Sequence, residues 1–346
     1  MVKAIQIGLG HWGFSWSSEV IPKVPGIEMV GYVDTSPEAT QRVQDELCID
    51  PKLCFASLED AAHHTDAVLA ICTLRTEAHY PVVKRCLELG YHVLVEKPFT
   101  TTIAQGKELV ALAKAQGRVL MVSQNYRHQP APIMAAKLIA DGDFGPLSMV
   151  SIDFRRHGPS QGYRYWDMPD PLLADMSIHH FDLMRFVLGD EPTRLSCRTW
   201  NPPSSPFRFD PTGVATIEFG KGTVVSYRAS WMSSGAVTPW AGEWVMDGAE
   251  GQIAWSSRDH FRDKQGPDRL TLLPLDGQPR KLQLDPVAFP DRTGTLSSMA
   301  RAVDTGVIPP GFSSGEDNLG SLGLVQATIL SASRGGDWVE MAEVMG

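Results

Sequence analysis

The chain has 346 residues, 43% of them hydrophobic and 21% charged, with a formal net charge of −9. That length exceeds what one hydrophobic core usually serves, so two domains are expected, and the acidic balance argues against nucleic acid or an anionic membrane surface as a partner. Five scattered cysteines form no CxxC pair, which fits a reducing cytosol rather than a disulfide framework or a structural zinc site.

The N-terminal "MVKAIQIGLG" has one lysine and a short apolar run before its glycines, unlike a secretory leader. No apolar stretch reaches the roughly 20 residues that span a bilayer, so a cytoplasmic protein is expected. "AIQIG" reads as a buried strand, followed by a glycine-rich turn and a helix through about Lys23. The strand "IEMVGYVD" precedes the helix "PEATQRVQDEL", with Ser36 as its cap and Pro37 at its first position. Then come "DAVLAIC", a helix from about Glu77 to Leu89, the strand "HVLVEK", a helix opened by Thr102 and stopped near Gly117, and the strand "VLMVSQ". Strands apolar on both sides, alternating with helices, imply a parallel sheet covered on both faces.

The rhythm changes near Asn125, which sets the expected domains at 1–124 and 125–346. A helix over about Pro130 to Ala140 leads to "GPLSMVSIDFRRHG", and a second helix is expected over about Ile178 to Leu188. Strands then follow one another: "RLSCRTW", "GVATIEF", "GTVVSYRASW", "EWVMDG", "GQIAW" and "RLTLLPL", with "FGKG" as a hairpin turn. Neighbouring strands in such a run suggest an open, mostly antiparallel sheet. Helices at about Leu296 to Val303 and Glu316 to Ser333 and a last strand, "DWVEMA", finish the chain. The proline-rich stretches 201–211 and 284–290 read as loops within the second domain.

"GLGHWG" places Gly8, Gly10 and Gly13 in a GxGxxG pattern, with His11 and Trp12 between them, after a strand and opening a helix. That context lets a pyrophosphate sit on the helix N-terminus. Asp34 ends the second strand, where an acid binds ribose hydroxyls. Its charge would repel a 2′-phosphate, and no arginine follows it directly, so NAD is favoured with NADP left open. In "VLVEKPF", Glu96 and Lys97 end a parallel strand, the sheet edge where ligands bind.

In "LADMSIHHFDLMRF", Asp175, His179 and Asp182 recur at steps of four and three, on one face at the helical period. Such a trio is a metal site, a catalytic site or a satisfied polar network. One histidine with two carboxylates makes a poor ligand set, so no metal is expected. His180 and Asp182 suit structural hydrogen bonds. "FRRHGPSQGYRYWDMPD" offers Arg155, Arg156, His157, Tyr163, Arg164 and Trp166 as hydrogen-bonding and stacking groups, or as an ordinary surface loop. Trp12 and Trp16 either line a cleft or pack the first helix.

Together, "GLGHWG", "CTLRTEAH", "VLVEKPF", "QNYRHQP" and "DMSIHHFD" resemble the glucose–fructose oxidoreductase / inositol dehydrogenase (Gfo/Idh/MocA) family over essentially the whole chain. The resemblance implies an N-terminal Rossmann domain and a C-terminal substrate-binding and oligomerisation α/β domain on a mostly antiparallel sheet. It implies NAD(P)-linked oxidation or reduction of a sugar, polyol or related ring, and a homo-oligomer, dimer or tetramer. It assigns Lys97, His179 and Asp175 to catalysis, with His179 as acid/base and Asp175 as substrate or orienting contact. Glycines 8, 10 and 13, His11, Trp12, Asp34, Thr73, His79, Glu96, Lys97 and Asn125 fall to the cofactor. Lys97, Tyr126, Arg127, Asp175 and His179 fall to the substrate, and the polar and aromatic stretch read above adds Arg156, Tyr163 and Trp166 to them. Pro98 follows a cis peptide in relatives. The chain departs from the family at Leu74 and Arg75, where proline and asparagine are usual.

The chemistry agrees with these roles. Oxidising an alcohol needs a base for the hydroxyl proton as hydride leaves, and histidine works in both directions near neutrality. A nearby lysine stabilises the developing alkoxide. Two alternatives remain: an NAD-dependent glycosidase that oxidises a ring carbon transiently, and a non-enzymatic NAD-binding sensor.

Overall fold

The computed structural model describes residues 1–158, 166–258 and 268–346, and these divide into two compact units. The first comprises Met1–Asn125 and Ala288–Leu319; the second comprises Tyr126–Val287 and Gly320–Gly346.

The first unit opens with β1 (Val2–Ile7), the helix α1 (His11–Ser15) continued by wider and tighter turns to Lys23, and β2 (Ile27–Val33). The helix α2 (Pro37–Leu47) follows; its N-cap Ser36 accepts from the Ala39 amide at 3.2 Å, as the sequence suggests. Next come β3 (Cys54–Phe55), α3 (Leu58–His64), β4 (Leu69–Cys72), α4 (Thr76–Glu88), β5 (His92–Val95), α5 (Ile103–Ala115), capped by Thr102, and β6 (Leu120–Val122). The six strands run in the order β3-β2-β1-β4-β5-β6, all parallel. The order reverses at β1, the topological switch point where such sheets bind ligands. β4 is buried at every position, as a strand covered on both faces must be.

The second unit holds α6 (Pro130–Asp141), β7 (Leu147–Arg155), a π-helical segment Pro171–Met176 and α7 (Ser177–Leu188). Then come β8 (Pro192–Trp200), β9 (Thr212–Phe219), β10 (Val224–Ser230), β11 (Glu243–Gly248), β12 (Gly251–Ser256), β13 (Arg269–Pro274) and β14 (Arg280–Lys281). After α8 (Arg292–Thr305) and α9 (Gly315–Ser333), β15 (Val339–Glu340) and α10 (Met341–Met345) end the chain. Among the described residues this sheet has nine strands in the order β14-β13-β12-β11-β7-β10-β9-β8-β15. Its pairs are antiparallel except β7 with β10. The "FGKG" turn joins β9 to β10, with Gly222 at φ +93°. β9 and β10 alternate buried and exposed positions, and the buried ones, such as Ile217 and Tyr227, share one core with α6 and α7.

Two expectations change. The segment Ala288–Leu319 belongs with the first unit rather than the second, because Leu296 and Met299 of α8 pack with Trp16, Val20 and Ile71. The terminal strand shrinks to two residues before α10. Among the described residues no helix is long and apolar enough to cross a membrane.

Candidate functional site

In the first unit, the glycine loop is held from beneath by buried polar groups. Gln6 Nε2 donates to the Gly13 carbonyl at 2.8 Å and to Thr73 Oγ1 at 3.1 Å. Thr73 Oγ1 donates to the Gly8 carbonyl at 2.6 Å, and Ser17 Oγ donates to Gln6 Oε1 at 2.7 Å. Gly8 stands at φ +93°, and a Cβ on Gly13 would lie 1.9 Å from the Gly8 oxygen. A Cβ on Gly10 would meet nothing within 4 Å. Packing therefore demands glycine at Gly13, whereas glycine at Gly10 leaves the backbone open to a group approaching from solvent.

Asp34 ties this loop to the end of β2. One carboxylate oxygen accepts the Leu9 amide at 2.6 Å and the other the Ser36 amide at 2.8 Å. Each oxygen keeps a lone pair for a ribose hydroxyl. Asp34 also lines a cavity of about 260 Å³, together with Gly8, Leu58, Leu74, Pro81 and Arg85. Leu74, at the departure from the family pattern, thus becomes a cavity wall, and Arg75 sits exposed at the start of α4.

At the end of β5 the Lys97–Pro98 peptide is cis. Glu96 is buried; it accepts the Trp16 indole N–H at 2.8 Å and the Lys97 amide at 3.1 Å. It anchors the strand end that presents Lys97. His79 is fully buried, its Nδ1 2.8 Å from the Pro98 carbonyl and its Nε2 3.2 Å from that of Leu74. Burial pushes its pKa below the usual histidine range. Both ring nitrogens face main-chain oxygens, so any effect of His79 on a cofactor runs through these two loops. Trp12 is exposed under the Arg292 guanidinium, 4.5 Å from the ring centre, and Asn125 bonds Asp291 through its amide.

In the second unit, every residue of α7 except Phe186 is buried. A helix apolar on most sides sinks into a core, so its polar residues must find partners there. Asp182 receives Nε and Nη2 of Arg127, both at 2.7 Å, and the Ser321 hydroxyl at 2.8 Å. Arg185 donates to Ser321 Oγ at 2.9 Å and pairs with Glu191 at 2.6 and 2.7 Å. His180 turns to the sheet: Nδ1 lies 2.8 Å from Tyr227 Oη and Nε2 3.0 Å from the Trp240 carbonyl. A carbonyl only accepts, so Nε2 carries the proton and Nδ1 accepts from Tyr227. Burial lowers the His180 pKa to about 4. His179 instead stacks on Tyr126, with ring centres 4.1 Å apart and planes at 6°. The Arg258 guanidinium lies 4.1 Å from the same Tyr126 ring centre. Tyr126 thus stacks with His179 and lies under the Arg258 guanidinium.

Asp175 lies in the π-helical segment that leads into α7. His179 and Asp182 both meet the Tyr126–Arg127 turn, but through different side chains. Arg127, expected at the substrate, commits its Nε and Nη2 to Asp182. Arg156 is buried with its guanidinium 4.3 Å from the Trp240 ring centre, and Trp166 packs half-buried against the core. Tyr163 and Arg164 lie outside the described residues. Sequence reasoning missed Gln6 and Arg258. A glutamine inside the apolar run "AIQIG" was a usable signal for the first; an arginine 132 positions from Tyr126 gave none.

Residues 3–124 match the model of an oxidoreductase family with an NAD-binding Rossmann fold, and residues 133–254 match the Gfo/Idh/MocA C-terminal domain. The chain is 28% identical to D-apiose dehydrogenase of Paraburkholderia graminis over 90% of this chain and 83% of that one. It is also 28% identical to scyllo-inositol 2-dehydrogenase (NAD⁺) of Bacillus subtilis, over 66% and 67%. The fold superposes with a TM-score of 0.81 on an inositol dehydrogenase homologue from Azotobacter vinelandii complexed with NAD⁺, covering 98% and 97% of the two chains at 18% identity.

Proposed function

The chain belongs to the Gfo/Idh/MocA family of NAD(P)-dependent oxidoreductases acting on CH–OH groups, and we propose that it moves hydride between NAD and a hydroxyl-bearing carbon of a sugar, polyol or sugar derivative. The observation that carries the cofactor half is the glycine loop: Gly13 required by packing, Gly10 open to approach, and Asp34 presenting both oxygens beside them. The polyol half leans on the relatives, D-apiose dehydrogenase and scyllo-inositol 2-dehydrogenase. Asp34 would repel a 2′-phosphate, which favours NAD over NADP.

Bound NAD supplies a hydride acceptor at its nicotinamide ring. The protein's part is proton and charge control. His179, its ring held flat by Tyr126, takes the hydroxyl proton in oxidation and returns it in reduction. Lys97, fixed by the Glu96-anchored strand end, stabilises the alkoxide as it forms. Asp175 hydrogen-bonds a substrate hydroxyl. Asn125 and the glycine loop bind the dinucleotide; Arg156 and Trp166 flank the substrate. Five free thiols suit a cytoplasmic enzyme. The open face of the second unit's sheet carries Met149, Val214 and Leu273 exposed on its strands, and we assign that face to pairing in a homo-oligomer.

The test is NADH absorbance with purified protein, NAD⁺ and a panel of inositols, aldoses, uronates and glycosides. Turnover should appear on one class and vanish in Lys97→Ala and His179→Ala while NADH still binds. Glycoside cleavage without net NADH would instead indicate transient ring oxidation. Intact activity in both variants would remove them from the mechanism.

A further inference from the structure

The cavity beside Asp34 contains two charged side chains that the hydride chemistry does not use. Its walls are apolar: Leu58, Leu74, Pro81 and Val82 offer flat or branched surfaces to a planar ring. Its remaining charged lining is Glu59 from α3 and Arg85 from α4. These two form an ion pair through one contact, Arg85 Nε to Glu59 Oε1 at 3.0 Å, while Arg85 Nη1 reaches Glu88 at 3.6 Å. Arginine and carboxylate can close on each other with two parallel bonds, as Arg127 and Asp182 do here at 2.7 Å each. Between Glu59 and Arg85 the fork stays open. Glu59 Oε2 and Arg85 Nη2 bond no other side chain among the described residues. An acceptor and a donor thus stand side by side at a cavity whose walls suit a flat base.

Resting on the dinucleotide reading above, we propose that Glu59 and Arg85 read the edge of the purine in the bound cofactor and select adenine. Glu59 Oε2 accepts from the exocyclic amino group, and Arg85 Nη2 donates to the neighbouring ring nitrogen. Adenine presents that donor–acceptor order; a 6-oxopurine puts a carbonyl oxygen where the amino group was, facing a carboxylate that cannot donate. The pair is half-exposed, with side chains 55% and 45% accessible, so re-aiming it toward a base disturbs little of the fold. The same lining disfavours an anionic occupant: Asp34 and Glu59 face one guanidinium that already touches two carboxylates.

The experiment compares equilibrium binding of NAD⁺ and nicotinamide hypoxanthine dinucleotide, followed by quenching of tryptophan fluorescence. The two differ only at the base. Wild type should bind NAD⁺ about tenfold more tightly, the worth of one hydrogen bond to a charged group. Glu59→Gln can turn its amide to donate to a carbonyl, so its preference should largely disappear; Arg85→Met should weaken NAD⁺ binding and narrow the ratio. Equal binding of both dinucleotides to wild type, or an unchanged ratio in both variants, overturns the proposal and leaves the dinucleotide reading intact. Failure of wild type to bind either one overturns both.

Discussion

The buried polar groups of the two units serve different ends. Under the glycine loop, Gln6, Thr73 and Ser17 are neutral, and three of their bonds go to main-chain carbonyls of the loop. Around α7, Arg127, Asp182, Ser321, Arg185 and Glu191 form a chain in which charge answers charge. The first network shapes a backbone cradle that a ligand can use. The second makes a buried helix affordable by leaving none of its charges alone. Damage should follow the same division: breaking the charged chain costs stability, and breaking the neutral one costs loop geometry and hence dinucleotide affinity.

The largest effect belongs to the charged chain. Arg127→Met leaves the carboxylate of Asp182, itself 1% exposed, with only Ser321. Removing one partner of a buried pair typically costs about 3–5 kcal/mol. Urea unfolding should show that loss, and Arg127→Met with Asp182→Leu should regain much of it. A double variant as unstable as the single would mean the pair is not the cause.

Next comes pH. His180 is neutral in the fold, its pKa lowered from an ordinary 6.5 to about 4, so the unfolded chain binds the extra proton first. Its contribution is complete above about pH 6.5 and drains away as pH falls toward 4, by up to about 3 kcal/mol. Thermal melts of wild type against His180→Gln across that window should converge as pH drops. Parallel curves would refute the assignment.

A smaller, local effect is expected in the neutral network. Thr73→Val removes the hydroxyl that bonds the Gly8 carbonyl and receives Gln6. Leaving such buried groups unpaired costs about 1–3 kcal/mol, and here NADH affinity should fall along with the melting temperature. Affinity unchanged at a lowered melting temperature would separate the loop from the cofactor. Smallest is Ser36→Ala at the start of α2, about 1 kcal/mol of stability, with turnover untouched. It serves as the control outside both networks.

The same contrast explains what the sequence made legible. The Rossmann half announces itself through local signals: GxGxxG after a strand, Asp34 at the next strand's end, caps at Ser36 and Thr102. Even there α3 was passed over, although Ser57 caps it through the Asp60 amide in an S-x-x-D pattern. Seven residues are too short for a clear apolar period. In the second half the strands were readable from alternation, but the partners of α7 were not. Arg127 and Asp182 are 55 positions apart, and His180 and Trp240 are 60 apart. Spacing along a chain carries no record of such pairings. The π-helical turn that holds Asp175 had no sequence signature either. Residues of α8 returned to the first unit because apolar contacts, not chain order, decide membership of a core.

The most direct test of hydride transfer is isotopic. The protein would be incubated with NAD⁺ and a mixture of inositols and aldoses deuterated at carbon, and the recovered dinucleotide weighed by mass spectrometry. The account predicts reduced dinucleotide carrying one deuterium, absent with His179→Ala. Dinucleotide that binds and is recovered without deuterium would contradict it.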